Sequence, residues 1–313
     1  MNSTVECSIV MSVYNDCTHL EDAINSILNQ SFSNFEFIIV DDGSTDPSVS
    51  IIRDFNDSRI KLFIQEHKGL PSALNYGILN STSDLIVRMD ADDVSLLDRI
   101  EKQVAFMEKN PEIALIGGSA TLIDSNSKAI GKRIVPDNEE VILGILPYAC
   151  PTIHPTLCFR KFLFDRLGGY REIFTYSQDY DLILRIVDSG YRITNIPDIL
   201  LEYRTNKKHK AEKIYKHTKL VLLAQRLHNQ RRKSLCEKKE LLQPFDNIIS
   251  LSWIRRIIFN AYYQTLLLSS LNASPRYLWR MLNIIICLLD IDLFKVMYND
   301  YMFHKVLKKY NGH

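Results

Sequence analysis

Short apolar runs alternate with amphipathic stretches from residue 8 to residue 89. Ser8-Ile-Val-Met-Ser-Val13 reads as a buried strand, Leu20 to Asn29 carries its apolar residues at helical spacing, and Phe35-Glu-Phe-Ile-Ile-Val40 reads as a second buried strand. The pattern repeats: Val49 to Phe55 as helix, Ile60 to Ile64 as strand, Leu70 to Leu79 as helix and Leu85-Ile-Val-Arg-Met89 as strand. Strands alternating with helices predict an α/β fold with a doubly wound, mainly parallel sheet, whose ligands bind beyond the carboxyl ends of the strands. Those ends are Tyr14-Asn15, Asp41 to Ser44 and Asp90 to Asp93. After Tyr203 the strand signals stop, and Lys210 to Leu227, Trp253 to Leu271 and Tyr277 to Leu289 read as helices. This predicts a domain over residues 1–205 followed by a helical appendage over 206–313.

Composition changes that picture in one respect. The 313 residues are 46% hydrophobic and 24% charged, as in an ordinary globular chain, and the formal net charge is only +1. That balance conceals an asymmetry, because residues 1–203 hold 30 acidic and 17 basic side chains and residues 204–313 hold 7 and 21. A basic tail after an acidic domain predicts an anionic membrane surface as partner, and the acidic half argues against nucleic acid. Six cysteines without a C-x-x-C pair are too sparse for a disulfide scaffold and fit a reducing cytoplasm. The start, Met1-Asn-Ser-Thr-Val-Glu6, lacks the features of a signal peptide, and no stretch reaches the roughly 18 apolar residues of a membrane span. The expected location is therefore cytoplasmic, peripheral to the inner face of the cell membrane.

Two strand ends carry candidate chemistry. In Asp90-Ala91-Asp92-Asp93, Asp90 and Asp92 point the same way if strand geometry persists, and hard oxygen donors at such spacing suit Mg²⁺ or Mn²⁺ together with substrate phosphates. Such a triplet in isolation is more often a solvated acidic turn. Asp41-Asp42-Gly43-Ser44 reads either as a capped turn or as a carboxylate that accepts the imide N–H of uracil, with glycine permitting close approach of the backbone.

The strings Ile9-Val-Met-Ser-Val-Tyr-Asn15, Ser26-Ile-Leu-Asn-Gln-Ser-Phe32, Val40-Asp-Asp-Gly-Ser-Thr-Asp46 and Met89-Asp-Ala-Asp-Asp93 resemble the family 2 glycosyltransferases of GT-A fold. The likeness continues through Asp98-Arg99, His154-Pro-Thr156, Gly168-Gly-Tyr170 and Gln178-Asp-Tyr-Asp-Leu182, and so spans about residues 6 to 204. It implies that Ser12 and Tyr14 line the nucleotide site, that Asp42 meets uracil, and that Asp90 lies near the ribose. It further implies that Asp92 binds a Mn²⁺ or Mg²⁺ bridging the diphosphate and that Asp93 sits close to the donor sugar. The segment His67-Lys-Gly-Leu-Pro-Ser-Ala-Leu-Asn-Tyr-Gly77 resembles the family's N-x-G-x-x-x-A-R-N-x-G stretch but departs at His67 and Leu74, leaving Lys68 as the basic contribution there.

In the family an E-D dipeptide supplies the catalytic base, and the match is Gln178-Asp179. Gln in place of Glu removes a like charge and leaves Asp179 as the expected base, which taken alone could equally be a helix-start acid. His154 is a candidate contact to acceptor or phosphate or a structural hydrogen-bonding residue; Arg204 is a candidate contact to the diphosphate or a surface arginine.

The resemblance implies an inverting, metal-dependent enzyme that moves a sugar from a UDP-sugar to a hydroxyl of a lipid-diphosphate-linked saccharide in bacterial surface polysaccharide synthesis, O-antigen or capsule. The alternative is a non-catalytic nucleotide-sugar-binding or scaffold protein of the same fold, against which stands the retention of Asp42, Asp90, Asp92 and Asp179. A dinucleotide-dependent oxidoreductase fails at the first turn, where Tyr14-Asn15-Asp16 stands in place of G-x-G-x-x-G. In the tail, lysines from 207 to 219, with Trp253, Arg255, Arg256, Tyr262, Tyr263, Trp279 and Arg280 beyond them, are the expected membrane-facing groups.

Overall fold

The computed structural model describes residues 5–205 and 211–233, with Met302, Lys305 and Val306. It divides into two units, Met1–Leu146 with Cys150–Asn206 and Pro147–Ala149 with Lys207–His313. The first opens with the expected alternation: β1 (Cys7–Val13), α1 (Leu20–Leu28), β2 (Phe35–Asp41), α2 (Ser48–Asp54), β3 (Ile60–Ile64), α3 (Leu70–Leu79) and β4 (Leu85–Asp90). These four strands are parallel and lie in the order β3-β2-β1-β4. Every residue of β2 is buried, as are all of β1 but Ser12, which explains their continuous apolar runs. The edge strand β3 is only partly covered.

Then follow β5 (Val94–Ser95), α4 (Arg99–Lys109), β6 (Ile113–Ile123), β7 (Ala129–Arg133), α5 (Glu139–Ile145), a 3-10 turn at His154–Thr156, β8 (Cys158–Arg160), α6 (Phe162–Leu167), α7 (Gln178–Asp188) and β9 (Arg192–Arg204). Among the described residues all nine strands join one sheet in the order β3-β2-β1-β4-β8-β6-β9-β5, with β7 paired to β6. Beyond β4 the sheet is mixed. The short β8 runs antiparallel to both β4 and β6, whereas β9 runs parallel to β6. The register of β9 slips where Pro197 lacks an N–H to donate, so that Gly118 faces Ile196 and Ser119 faces Ile199.

Packing on the parallel half follows helical spacing. Helix α1 buries Leu20, Ala23, Ile24 and Ile27 on one face. Helix α3 lies close to the sheet at Gly77, where a Cβ would come within 2.6 Å of Val10 Cγ1 and 3.2 Å of Val40 Cγ2. Buried charge is also used as glue: the Glu36 carboxylate accepts from Ser8 Oγ, Thr82 N and Thr82 Oγ1 and pairs with Lys61. The fully buried Arg99 donates to the carbonyls of Arg88 and Pro155 and to Gln103 Oε1, which ties β4 to the 3-10 turn.

In the second unit α8 (Ala211–Arg232) matches the helix expected over Lys210 to Leu227, and Gln225 Nε2 donates to the Tyr148 carbonyl. Lys207, Lys208, Lys210 and the helices expected over 253–271 and 277–289 lie outside the described residues. Among the described residues no helix is long and apolar enough to cross a membrane.

Candidate active site

The ends of β1, β2 and β4 lie side by side, because Ser12 is in register with Val40 on one flank and Asp90 on the other. Beyond β1, Asn15 adopts the left-handed region (φ 49), which Asn tolerates better than most residues. From there its side-chain oxygen accepts from Thr45 N, while its own N–H donates to Ser44 Oγ. The loops after β1 and β2 are thereby laced into one rim. Gly43 supports the second loop at φ 78, where a Cβ would meet the His67 backbone N at 2.9 Å.

Asp42 is buried and organises the loop before α3. Its Oδ1 accepts from Gln65 Nε2 and Lys68 N, its Oδ2 accepts from Gly69 N, and His67 Nδ1 lies 2.8 Å from Oδ2. The same His67 stacks on exposed Tyr14, with ring centroids 3.8 Å apart and planes 18° from parallel. Tyr14, Asp42 and the 65–69 loop therefore form one wall. Lys68 contributes its backbone N–H to that wall, and its side chain is exposed.

At the end of β4, Asp90, Asp92 and Asp93 can each bring one oxygen within 4.8 Å of the others. Burial, reinforced by Asp90 and then Asp16, pushes the Asp92 carboxyl up to about 7. Burial, Asp90 and Asp92 likewise raise Asp93, whose Oδ2 is buried without a hydrogen-bond partner. Three crowded carboxylates destabilise one another's charged forms, and a hard divalent cation relieves that crowding. The donor set thus fits Mg²⁺ or Mn²⁺. Asp93 is fully buried, and its Oδ1 accepts the Arg204 N–H. Arg204 is itself buried rather than on the surface, and its guanidinium donates to the carbonyls of Asp92 and Asp124 and to Ser127 Oγ.

Asp179, half-buried, is the second residue of α7 and accepts a long hydrogen bond from Cys150 Sγ at 3.8 Å. Beside it, Gln178 Nε2 lies 3.4 Å from His154 Nδ1, and His154 Nε2 lies 3.1 Å from the Tyr170 hydroxyl. Burial, then the Arg88 guanidinium, holds His154 well below the usual imidazole range, so the ring is neutral. The Tyr170 phenol, driven up mainly by burial, interacts electrostatically with Arg88, Asp179 and Asp90.

Four participants carry no motif signal of their own. His67 is visible in the sequence only as a departure from a family pattern, and Gln65 lies in no motif. Asp16, in the loop after β1, is raised by burial and then by Asp90. Arg88, buried inside β4, pairs with Asp90. The signal available for Arg88 is a charged residue inside an otherwise apolar strand.

The model of Glycosyl transferase family 2 matches residues 8–168, slightly more than half of the chain. The chain belongs to glycosyl transferase family 2. The O-antigen biosynthesis glycosyltransferase WbnJ of Escherichia coli is 36% identical over 206 residues, which cover 64% of this chain and 80% of WbnJ. Residues 1–349 of S. aureus TarS, solved in complex with UDP-GlcNAc, superpose with a TM-score of 0.58 at 16% identity, covering 98% of this chain and 92% of the other. The mannosyltransferase PcManGT from Pyrobaculum calidifontis, solved with GDP-Man and Mn²⁺, superposes with a TM-score of 0.57 at 18% identity, covering 97% and 86%. The fold is GT-A, and the protein is a glycosyltransferase.

Within the family stretch after β3, His67 takes the place of Asn and makes both the stack on Tyr14 and the contact to Asp42. Asp179 and Arg204 lie beyond the matched range.

Proposed function

We propose that this family 2 enzyme transfers a sugar, with inversion, from a UDP-linked hexose or N-acetylhexosamine to a hydroxyl of a lipid-diphosphate-linked saccharide during bacterial surface polysaccharide assembly. The observation that carries this reading is the convergence of Asp90, Asp92 and Asp93 at the end of β4, a donor set that fits a divalent cation. Residues 1–205 carry the reaction, and 206–313 hold the enzyme on an anionic membrane surface at its cytoplasmic face, next to the lipid-linked acceptor.

Ser12, Tyr14 and Asp42 line the nucleotide pocket with Asp42 toward uracil, Asp90 approaches the ribose, and Asp93 borders the donor sugar. Lys68, exposed beside Asp42, and Arg204 are the cationic groups on the diphosphate side; His154 lies on the acceptor side. Asp92 is the protein ligand for Mn²⁺ or Mg²⁺, which when bound supplies positive charge to the departing diphosphate. Asp179 takes the proton of the acceptor hydroxyl as that oxygen bonds to the anomeric carbon, while the bond from that carbon to the diphosphate oxygen breaks. A single displacement from an α-linked donor gives a β-linkage. Because residue 178 is Gln, no second carboxylate competes for the proton.

A screen of nucleotide sugars against a lipid-diphosphate-linked monosaccharide, with and without chelator, tests this reading. Transfer from one UDP-sugar, abolished reversibly by chelator and abolished in Asp92→Ala, is expected. Full turnover in chelator would remove the cation from the mechanism.

A further inference from the structure

The Arg88 guanidinium is buried in β4 and pairs with Asp90, while its Nε and Nη1 have no hydrogen-bond partner. A buried guanidinium left with two unpaired nitrogens is costly to keep, so the contact it does make carries weight. That contact engages one of the three carboxylates able to converge on a cation. Unopposed, three such carboxylates would hold a divalent ion without help. Arg88 pairs with Asp90 Oδ1, so one unit of negative charge is offset while Asp90 stays within reach of the other two carboxylates.

We propose that Arg88 is a positioning residue that holds Asp90 Oδ1 and offsets its charge, so that tight metal binding requires the oxygens of a nucleotide diphosphate. This inference rests on the reading of Asp92 as the metal's protein ligand. It accounts for a cation placed inside an acid cluster, where it otherwise only weakens the attraction for the ion. It also keeps Asp90 in place beside Ser12.

Mn²⁺ binding to the full-length protein, followed by electron paramagnetic resonance with and without UDP, tests the proposal in the wild type, R88M, R88K and D90N, with thermal melting of each. The wild type should bind Mn²⁺ at least about tenfold more tightly with UDP than without. R88M should bind Mn²⁺ alone roughly tenfold more tightly than the wild type, the scale of one nearby unit charge in a partly solvated site, and its gain from UDP should shrink. R88K, which keeps the charge, should stay within about threefold of the wild type.

A folded R88M that binds Mn²⁺ alone no more tightly than the wild type overturns the proposal. D90N gives a second test that does not depend on R88M folding. Its affinity for Mn²⁺ alone should fall by about tenfold, the scale of one lost unit charge, and a loss of about a hundredfold or more would make Asp90 a direct ligand and overturn the role given to Arg88. Failure of the wild type to bind Mn²⁺ even with UDP would instead overturn the metal reading itself.

Discussion

Arg204 grips the acidic loop twice: its backbone N–H donates to Asp93 Oδ1 at 2.7 Å, and its guanidinium donates to the Asp92 carbonyl at 2.8 Å. Because Arg204 ends β9 and the loop follows β4, the two strands set the position of Asp92 jointly. Arg204→Met should leave the Asp92 and Asp124 carbonyls without this donor. We expect a loss of about 2–3 kcal/mol in urea denaturation, the scale for deleting hydrogen bonds from a buried charged group. Donor-dependent turnover should fall at least tenfold, and an unchanged unfolding midpoint would mean that the loop is held by other contacts.

The Tyr14 and His67 rings form an exposed stacked pair beside Asp42. His67→Ala should raise KM for the donor about 3- to 10-fold with kcat little changed, since aromatic pairs contribute roughly 0.5–1.5 kcal/mol. His67→Asn restores a donor that can reach Asp42 without the stack and should recover only part of that loss. Steady-state kinetics on the three proteins distinguishes these outcomes.

Glu36 gives stability a pH dependence away from the site. Burial alone would raise its carboxyl, but Lys61, Ser8 and Thr82 outweigh burial and hold it below its ordinary 4.5. Its stabilisation is therefore complete above about pH 4.5 and is lost as pH falls through the lower folded value. Glu36→Gln should be less stable than the wild type at pH 7 by about 1–2 kcal/mol, discounted because Lys61 is 44% exposed. That gap should narrow as pH drops below 4.5, as chemical denaturation at several pH values would report; a gap that widens on acidification would contradict the assigned sign.

The parallel half of the sheet was legible in the sequence because its central strands β1 and β2 are buried on both faces and read as apolar runs, such as Phe37 to Val40. The mixed half beyond β4 was not. Three residues from Cys158 to Arg160 are too few to show a period, and Pro197 interrupts β9 where its register slips. Asp90, Asp92 and Asp42 stood out because acids at strand ends meet a crevice. Their supporting contacts did not, since the pairing of Arg88 with Asp90 and of His67 with Asp42 depends on burial and loop geometry that sequence spacing does not encode.

Asp179 sits in the first turn of α7, where its Oδ2 accepts from the Cys150 thiol, a weak donor. Asp179→Asn should preserve fold and UDP affinity while kcat falls by about 10² or more, the usual scale for loss of a general base. Cys150→Ala should leave kcat within about threefold. A normal turnover number for Asp179→Asn would assign the proton to another group.

Inversion at the anomeric carbon is tested most directly by NMR of the saccharide formed from an α-linked UDP-sugar and a lipid-diphosphate-linked acceptor. A β-configured anomeric centre in the wild-type product, with no product from Asp179→Asn, is the predicted result. An α-configured product, or transfer undiminished in Asp179→Asn, would contradict single displacement with Asp179 as base.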